Sequence, residues 1–156
     1  MRRGYTTAAA LALALAVAGC GGSGSAPTRA EYARNADRLC VQLEQQVNEA
    51  ERGSPTSSAE IGAYADRVAR ALSRGVQALD NVRRPDGKDG AKAKAYVDEL
   101  RRQVDDEARP ALRELKAAAA RGDRAGVQAA VRRLRTVDSS KLDRLARAAG
   151  ADGCVS

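Results

Sequence analysis

The sequence predicts an all-α protein, an antiparallel up-and-down four-helix bundle that follows a signal peptide and a flexible tether. Two observations predict this fold class. Apolar residues recur at three- and four-residue steps in four segments beyond residue 28. The connections between these segments are short and rich in Gly, Pro, Ser and Asp, which favours antiparallel neighbours. Residues 28–156 are enough for one domain and too few for two.

The first 19 residues have the pattern of an export signal. Arg2 and Arg3 precede an apolar run over residues 8–18, which is too short to span a bilayer as a mature helix. Residues 1–19 are therefore predicted to be a signal peptide. Residues 20–27 are predicted to be a flexible Gly/Ser-rich linker, and residues 28–156 the helical bundle. Loss of residues 1–19 removes two arginines and no acid, so the formal charge falls from +7 to +5.

The end of this segment, Val17-Ala18-Gly19-Cys20, resembles the lipobox of bacterial lipoprotein precursors. That motif is an aliphatic residue, two small residues and the cysteine that is acylated and becomes the first residue. The resemblance implies a lipid on Cys20 and a location on the extracytoplasmic face of the cell membrane. The alternative is an ordinary signal peptide cleaved near Cys20, which would leave a soluble secreted protein.

Two capping boxes mark the first two helices. Thr28 with Glu31 begins a helix that is predicted to stop at Gly53, and Ser57 with Glu60 begins a second that ends before Pro85. In each box the hydroxyl and the carboxylate satisfy backbone donors that the first helical turn leaves free. The predicted apolar stripes are Tyr32, Ala36, Leu39, Leu43, Val47 and Ala50, then Ile61, Tyr64 or Ala65, Val68, Leu72, Val76 and Leu79.

The third helix is predicted from about Gly90 to Arg121, with a kink rather than a break at Pro110 because the apolar stripe stays in phase on both sides. Gly122-Asp123 reverses the chain, and a fourth helix runs to Gly150. Whether Ser139-Ser140 interrupts it is left open. The predicted stripes are Tyr96, Leu100, Val104, Ala108, Ala111, Leu115 and Ala118, then Val127, Val131, Leu134, Leu142 and Leu145.

Two cysteines remain besides Cys20. In an exported protein Cys40 and Cys154 are most simply a disulfide that ties the first helix to the C-terminus. A metal site or a redox pair is the alternative. Both are disfavoured because the chain has no His and no Cys-x-x-Cys motif.

No enzyme chemistry is predicted. The chain has no His, and no nucleophile elbow, Walker motif or dinucleotide fingerprint, so we assign no catalytic, cofactor-binding or metal-binding residue and expect no cofactor. The densest acidic group suits either a hard cation or paired carboxylates. Arginines interleaved at three- and four-residue spacing favour an ion-paired surface instead. The acids are Asp98, Glu99, Asp105, Asp106 and Glu107, and the arginines Arg101, Arg102, Arg109 and Arg113.

The last helix is the most basic, and three tyrosines begin the others. The basic residues suit adhesion to anionic phospholipid or acidic wall polymer, or simply a solvated face. Nucleic acid is excluded as a partner by the compartment and by the lack of stacking aromatics. The tyrosines suit either an aromatic ligand cage or core rings with wet hydroxyls. The basic residues are Arg121, Arg124, Arg132, Arg133, Arg135, Lys141, Arg144 and Arg147. The tyrosines are Tyr32, Tyr64 and Tyr96.

Taken together, these features resemble a group of small actinobacterial lipoproteins of uncharacterised function. The likeness rests on the lipobox, the tether, the element Asn35-Ala-Asp37-Arg-Leu-Cys40 and a closing cysteine after Ala-Gly-Ala. It implies a cell-surface helical bundle and brings no catalytic residues. We therefore expect a non-enzymatic, lipid-anchored interaction or accessory module, with an envelope protein as one possible partner. The alternative is a surface lipoprotein that binds a small ligand or an ion in a cavity near Pro110 and the tyrosines.

Overall fold

The computed structural model describes residues 25–52 and 55–155. The predicted signal peptide, Cys20 with most of the linker, and Gly53 lie outside the described residues. The described chain is all-α and contains no strand, in agreement with the predicted class. Its helices are α1 (Arg29–Glu51), α2 (Ser58–Asp80), α3 (Gly87–Gln103), α4 (Arg109–Ala120), α5 (Arg124–Arg135) and α6 (Ser140–Ala149), with a π-helical turn at Val104–Ala108 and a 3₁₀ turn at Asp152–Cys154.

Both predicted capping boxes are present. The Thr28 hydroxyl accepts from the Glu31 amide at 3.2 Å, and the Glu31 carboxylate accepts from the Thr28 amide at 2.7 Å. Ser57 and Glu60 make the same reciprocal pair at the start of α2. The first two helices therefore begin where the sequence predicts.

The third predicted helix is one continuous helical segment, α3 to α4, that passes through Pro110. The distortion takes the form of the π-helical turn Val104–Ala108, which ends two residues before the proline. Proline has no amide hydrogen and crowds the carbonyl four residues earlier, and a wider turn at that point relieves both. The segment begins at Gly87, three residues before the predicted start.

The fourth predicted helix is divided into α5 and α6 by residues 136–139. The Asp138 carboxylate accepts from the Ser140 amide at 2.8 Å, and the Asp138 carbonyl accepts from the Gln103 amide side chain at 3.0 Å. Gln103 is 6 % exposed, so the bond anchors this break to α3. The fourth predicted helix is therefore interrupted just before Ser140.

Neighbouring segments pack in chain order, as expected of an up-and-down bundle. α1 packs on α2, α2 on α4, α4 on α5, and α3 on α6. One core cluster lies near the start of α1 and contains Tyr32, Ala36, Leu79, Ala93, Tyr96, Val97, Ala146, Ala149 and Ala151. The other lies at the opposite end and contains Ala50, Ala65, Val68, Leu112, Leu115 and Ala130.

The bundle is closed by the C-terminal 3₁₀ turn. Cys40 and Cys154 are joined by a disulfide, as predicted, and the Gly153 amide donates to the Asp37 carboxylate at 2.8 Å. At the same end of the bundle, the Arg29 guanidinium donates to the carbonyl of Arg147 at the end of α6. α1 is thus tied to the last segment mainly through this turn.

Candidate functional site: an apolar groove beside the disulfide

A groove of about 470 Å³ opens between α1 and the C-terminal turn, with α2 and α3 as its floor. It exists because α1 meets the last segment mainly at the 3₁₀ turn and leaves part of its apolar stripe uncovered beyond Cys40. The lining residues are Cys40, Leu43, Glu44, Val47, Asn48, Leu72, Leu79, Tyr96, Leu100, Leu142, Gly153, Cys154 and Val155.

The lining is mostly aliphatic. Its carboxylate and amide side chains are Glu44 and Asn48, both exposed on α1. Within the described part of the chain, no Lys or Arg belongs to the lining. The groove therefore suits an apolar molecule and offers no counter-charge to an anion.

Tyr96 lies where the groove meets the core. Its side chain is 1 % exposed, and its hydroxyl lies 3.5 Å from Cys40 Sγ. Burial raises the pKa of Tyr96 well above its ordinary value, so the phenol is neutral at physiological pH. It supplies the groove with a ring and a neutral hydroxyl.

One wall of the groove depends on a glycine. A Cβ atom at Gly75 of α2 would lie 2.7 Å from Leu43 Cδ2, closer than real contacts allow. Glycine at this position lets the Leu43 side chain, which lines the groove, pack against the backbone of α2.

The opposite wall is held by the disulfide. Cys154 and Val155 line the groove, and the bond to Cys40 fixes them against α1. The Asp37 carboxylate adds a second tie through the Gly153 amide. The predicted disulfide therefore also shapes the groove, and the sequence did not indicate this second role.

The tyrosines do not form a cage. Tyr32 and Tyr96 belong to one core cluster, whereas Tyr64 packs against the other. The expectation of wet hydroxyls is wrong for Tyr32, whose buried hydroxyl has no hydrogen-bond partner among the described residues. Burial raises the pKa of Tyr32, because the charged phenolate would be desolvated.

The acidic group is largely an ion-paired surface. Asp98 pairs with Lys94, Asp105 with Arg109, and Glu107 with Arg102. The part of the chain that the structure describes holds no cluster of His, Cys, Asp and Glu suited to a metal ion.

One member of that group, Glu99, is buried. Its side chain is 6 % exposed and accepts from Arg102 of α3 and from Lys141 of α6 at 2.8 Å. Hydrogen bonds from these two cations lower the pKa of Glu99 to about 2, against an ordinary value of 4.5. The sequence pattern pointed to the arginine but gave no sign that Lys141, 42 residues away, shares the carboxylate.

The basic residues of the last segment divide into two sets. Arg133 pairs with Glu114, Lys141 with Glu99, and Arg121 lies 3.9 Å from Asp123. Five other arginines are exposed and make no ion pair within residues 25–52 and 55–155. They are Arg124, Arg132, Arg135, Arg144 and Arg147.

The cavity predicted near Pro110 and the tyrosines lies elsewhere. The groove reaches Tyr96 but not Pro110. A second cavity of about 480 Å³ lies at the other end of the bundle, where Asp123 and Arg124 join Ile61 and Val127 in its lining.

The comparisons with known proteins leave the site to be interpreted from its own geometry. No family model, curated protein or solved structure matches the chain. None of the helices in the described ranges combines the length and the apolar character needed to cross a bilayer.

Proposed function

We propose that this chain is a non-enzymatic, lipid-anchored module of the cell envelope that binds a small, uncharged, mainly aliphatic molecule in its apolar groove. The observation that supports the ligand is the groove itself. A volume of about 470 Å³ is within the range of small-molecule sites, roughly 300–1,000 Å³.

The lining defines the chemistry of the ligand. Leu43, Val47 and Leu100 present methyl groups, so each apolar carbon that enters is removed from water at a gain of about 25 cal/mol per Å². Glu44 disfavours an anionic group at the rim, and the lack of a second carboxylate gives a cation no enclosed pair of ligands. A neutral aliphatic molecule fits better than the ion that we considered as an alternative.

A protein partner in this groove fits less well. Among the described residues, Val41 is the one large apolar side chain with substantial exposure, at 46 %. A stable protein interface needs about 800 Å² on each partner with an apolar centre, and α1 offers only the narrow strip beside Cys40. The proposal therefore commits to a small molecule.

The anchor is proposed from the sequence around Cys20. A lipid there would hold the module on the extracytoplasmic face, and a disulfide between Cys40 and Cys154 is stable in that oxidising location. Growth with labelled palmitate tests this half. We expect the wild-type chain to carry the label and Cys20→Ala to lack it, and label on the Cys20→Ala chain would refute the anchor.

The groove is tested with the uncharged fluorescent probe N-phenyl-1-naphthylamine. The protein is the chain from residue 20 onward with Cys20→Ala, so that no attached acyl chain competes. Val47→Trp places a bulky ring in the groove, and Val41→Trp is the matched control because Val41 lies on the same helix outside the lining.

We expect saturable probe binding that 1-decanol displaces, and a dissociation constant at least about tenfold higher in Val47→Trp. Val41→Trp should bind as the wild type does. Equal weakening by the two substitutions, or no saturable binding by the wild type, would show that the groove is not the site.

A further inference from the structure

Five arginines of α5 and α6 lie outside the groove lining and make no ion pair within the described residues. They are Arg124, Arg132 and Arg135 of α5 with Arg144 and Arg147 of α6, named here the α5–α6 arginine face. All five are exposed, and they differ from Arg101 and Arg109, which pair with carboxylates. Their charge is therefore available to a partner outside the chain.

Helical geometry brings the α5 members together. At 100° per residue, Arg124, Arg132 and Arg135 lie within an arc of about 80°. Arg133 points to the other side of α5 and pairs with Glu114 of α4. α5 contains no Asp or Glu, so the arc has no acid of its own.

The acids near the rest of this face are few. The Asp138 carboxylate accepts from the Ser140 amide. Hydrogen bonds from Ser140 lower the pKa of Asp138, and the positive charge of the nearby Arg144 lowers it further. Asp143 is half-buried and already has a partner. Asp152 is exposed beyond the end of α6. The outward charge of the face is thus positive.

The route of the chain places the α6 end of this face beside the predicted anchor, whereas Arg124 lies at the other end of the bundle. Arg29, at the start of α1, donates to the carbonyls of Arg147 and Ala148 at 3.2 Å each, so the tether leaves the bundle at the end of α6. At about 3.5 Å per residue, the stretch from Cys20 to Thr28 reaches at most about 28 Å. A lipid on Cys20 would therefore keep α6 close to the bilayer.

We propose that the α5–α6 arginine face docks on a bilayer surface rich in anionic phospholipid and so orients the anchored bundle. This rests on the proposed anchor for its location but not for its chemistry. Arginine is suited to phosphate because its planar guanidinium donates two parallel hydrogen bonds. Basic residues near an anionic surface each add to the attraction, and salt screens it.

The test uses the chain from residue 20 onward with Cys20→Ala, so that binding does not depend on a lipid anchor. Its sedimentation is measured with vesicles of phosphatidylcholine mixed with phosphatidylglycerol, and with vesicles of phosphatidylcholine alone. The test variant is Arg132→Gln/Arg135→Gln/Arg144→Gln. The control is Arg70→Gln/Arg74→Gln/Arg113→Gln, which removes from α2 and α4 three exposed arginines that make no ion pair with another described residue.

We expect the chain to bind the vesicles that contain phosphatidylglycerol and not those of phosphatidylcholine alone. Added salt should weaken this binding, and the test variant should bind more weakly by roughly tenfold or more. The control variant should lose clearly less. Equal losses would show that net charge, not this face, drives binding, and would overturn the proposal. It would also be overturned if the chain ignored anionic vesicles yet bound an anionic wall polymer.

Failure here is distinguishable from failure of the proposed function. Probe binding in the groove is measured without vesicles, and palmitate incorporation does not involve the arginines. Both can succeed while the arginine face proves inert.

Discussion

Removing the disulfide between Cys40 and Cys154 is predicted to cost this bundle a large part of its stability. The two residues are 114 positions apart, so the bond closes nearly the whole described domain. The chain-entropy relation gives about 5 kcal/mol for a loop of this length at 25 °C. Single domains have total stabilities of about 5–15 kcal/mol, and the core here is built of Ala, Val and Leu with two buried tyrosines.

The variant is Cys40→Ala/Cys154→Ala in the Cys20→Ala background, unfolded with urea and followed by far-ultraviolet circular dichroism. With a urea dependence of about 2 kcal/mol per molar, 5 kcal/mol moves the midpoint down by about 2.5 M. The Cys20→Ala chain treated with a reductant is the control, and its curve should coincide with that of the variant.

The structure also predicts which part of the bundle loses the most stability when the disulfide is removed. α6 retains its packing on α3, but α1 loses its main tie to the C-terminal turn. Amide hydrogen exchange should therefore accelerate first in the half of α1 around Cys40. A midpoint shift under about 0.5 M, equivalent to about 1 kcal/mol, would refute the reasoning that this bond closes the bundle.

Three further changes test individual contacts. Glu99→Gln should cost about 1–2 kcal/mol at neutral pH, discounted because Arg102 and Lys141 are about half exposed. Since the folded pKa of Glu99 is about 2 and its ordinary value 4.5, this contribution is present above pH 4.5 and fades as pH falls towards 2, which urea unfolding at several pH values would show. Ser57→Ala removes the N-cap acceptor of α2 and should lower the free energy of unfolding by about 1 kcal/mol, whereas Ser57→Thr should restore most of it. Gly75→Ala adds a methyl group 2.7 Å from Leu43, so probe binding in the groove should weaken. The urea midpoint should change little, because the higher helix propensity of alanine offsets the strain of this contact.

The class and order of the helices could be predicted because they depend on local chemistry. The reciprocal bonds of Thr28 with Glu31 and the apolar steps from Tyr32 onward involve residues three or four apart, which a sequence displays directly. The pairing of Cys40 with Cys154 followed from the count of cysteines in a chain predicted to be exported.

The groove could not be predicted in this way. Leu43 and Val47 belong to the same apolar stripe as the buried Tyr32, and the pattern predicts burial for all of them. They remain half-buried because α1 and the last segment meet mainly at the C-terminal turn, a long-range fact that periodicity does not contain.

The details of the third and fourth segments could not be settled from the sequence for related reasons. Pro110 predicts a distortion, but the sequence does not show that it takes the form of a π-helical turn at Val104–Ala108. The break before Ser140 is fixed by Gln103, which lies on another helix. The burial of Glu99 likewise needs Lys141, which only the tertiary fold brings near.

The most direct test of the central claim is to record nuclear Overhauser effects between 1-decanol and the methyl groups of the chain from residue 20 onward with Cys20→Ala. The groove predicts contacts with Leu43, Val47 and Leu100. Contacts confined to Ile61 and Val127, which line the other large cavity, would place the ligand at the opposite end of the bundle and contradict the account.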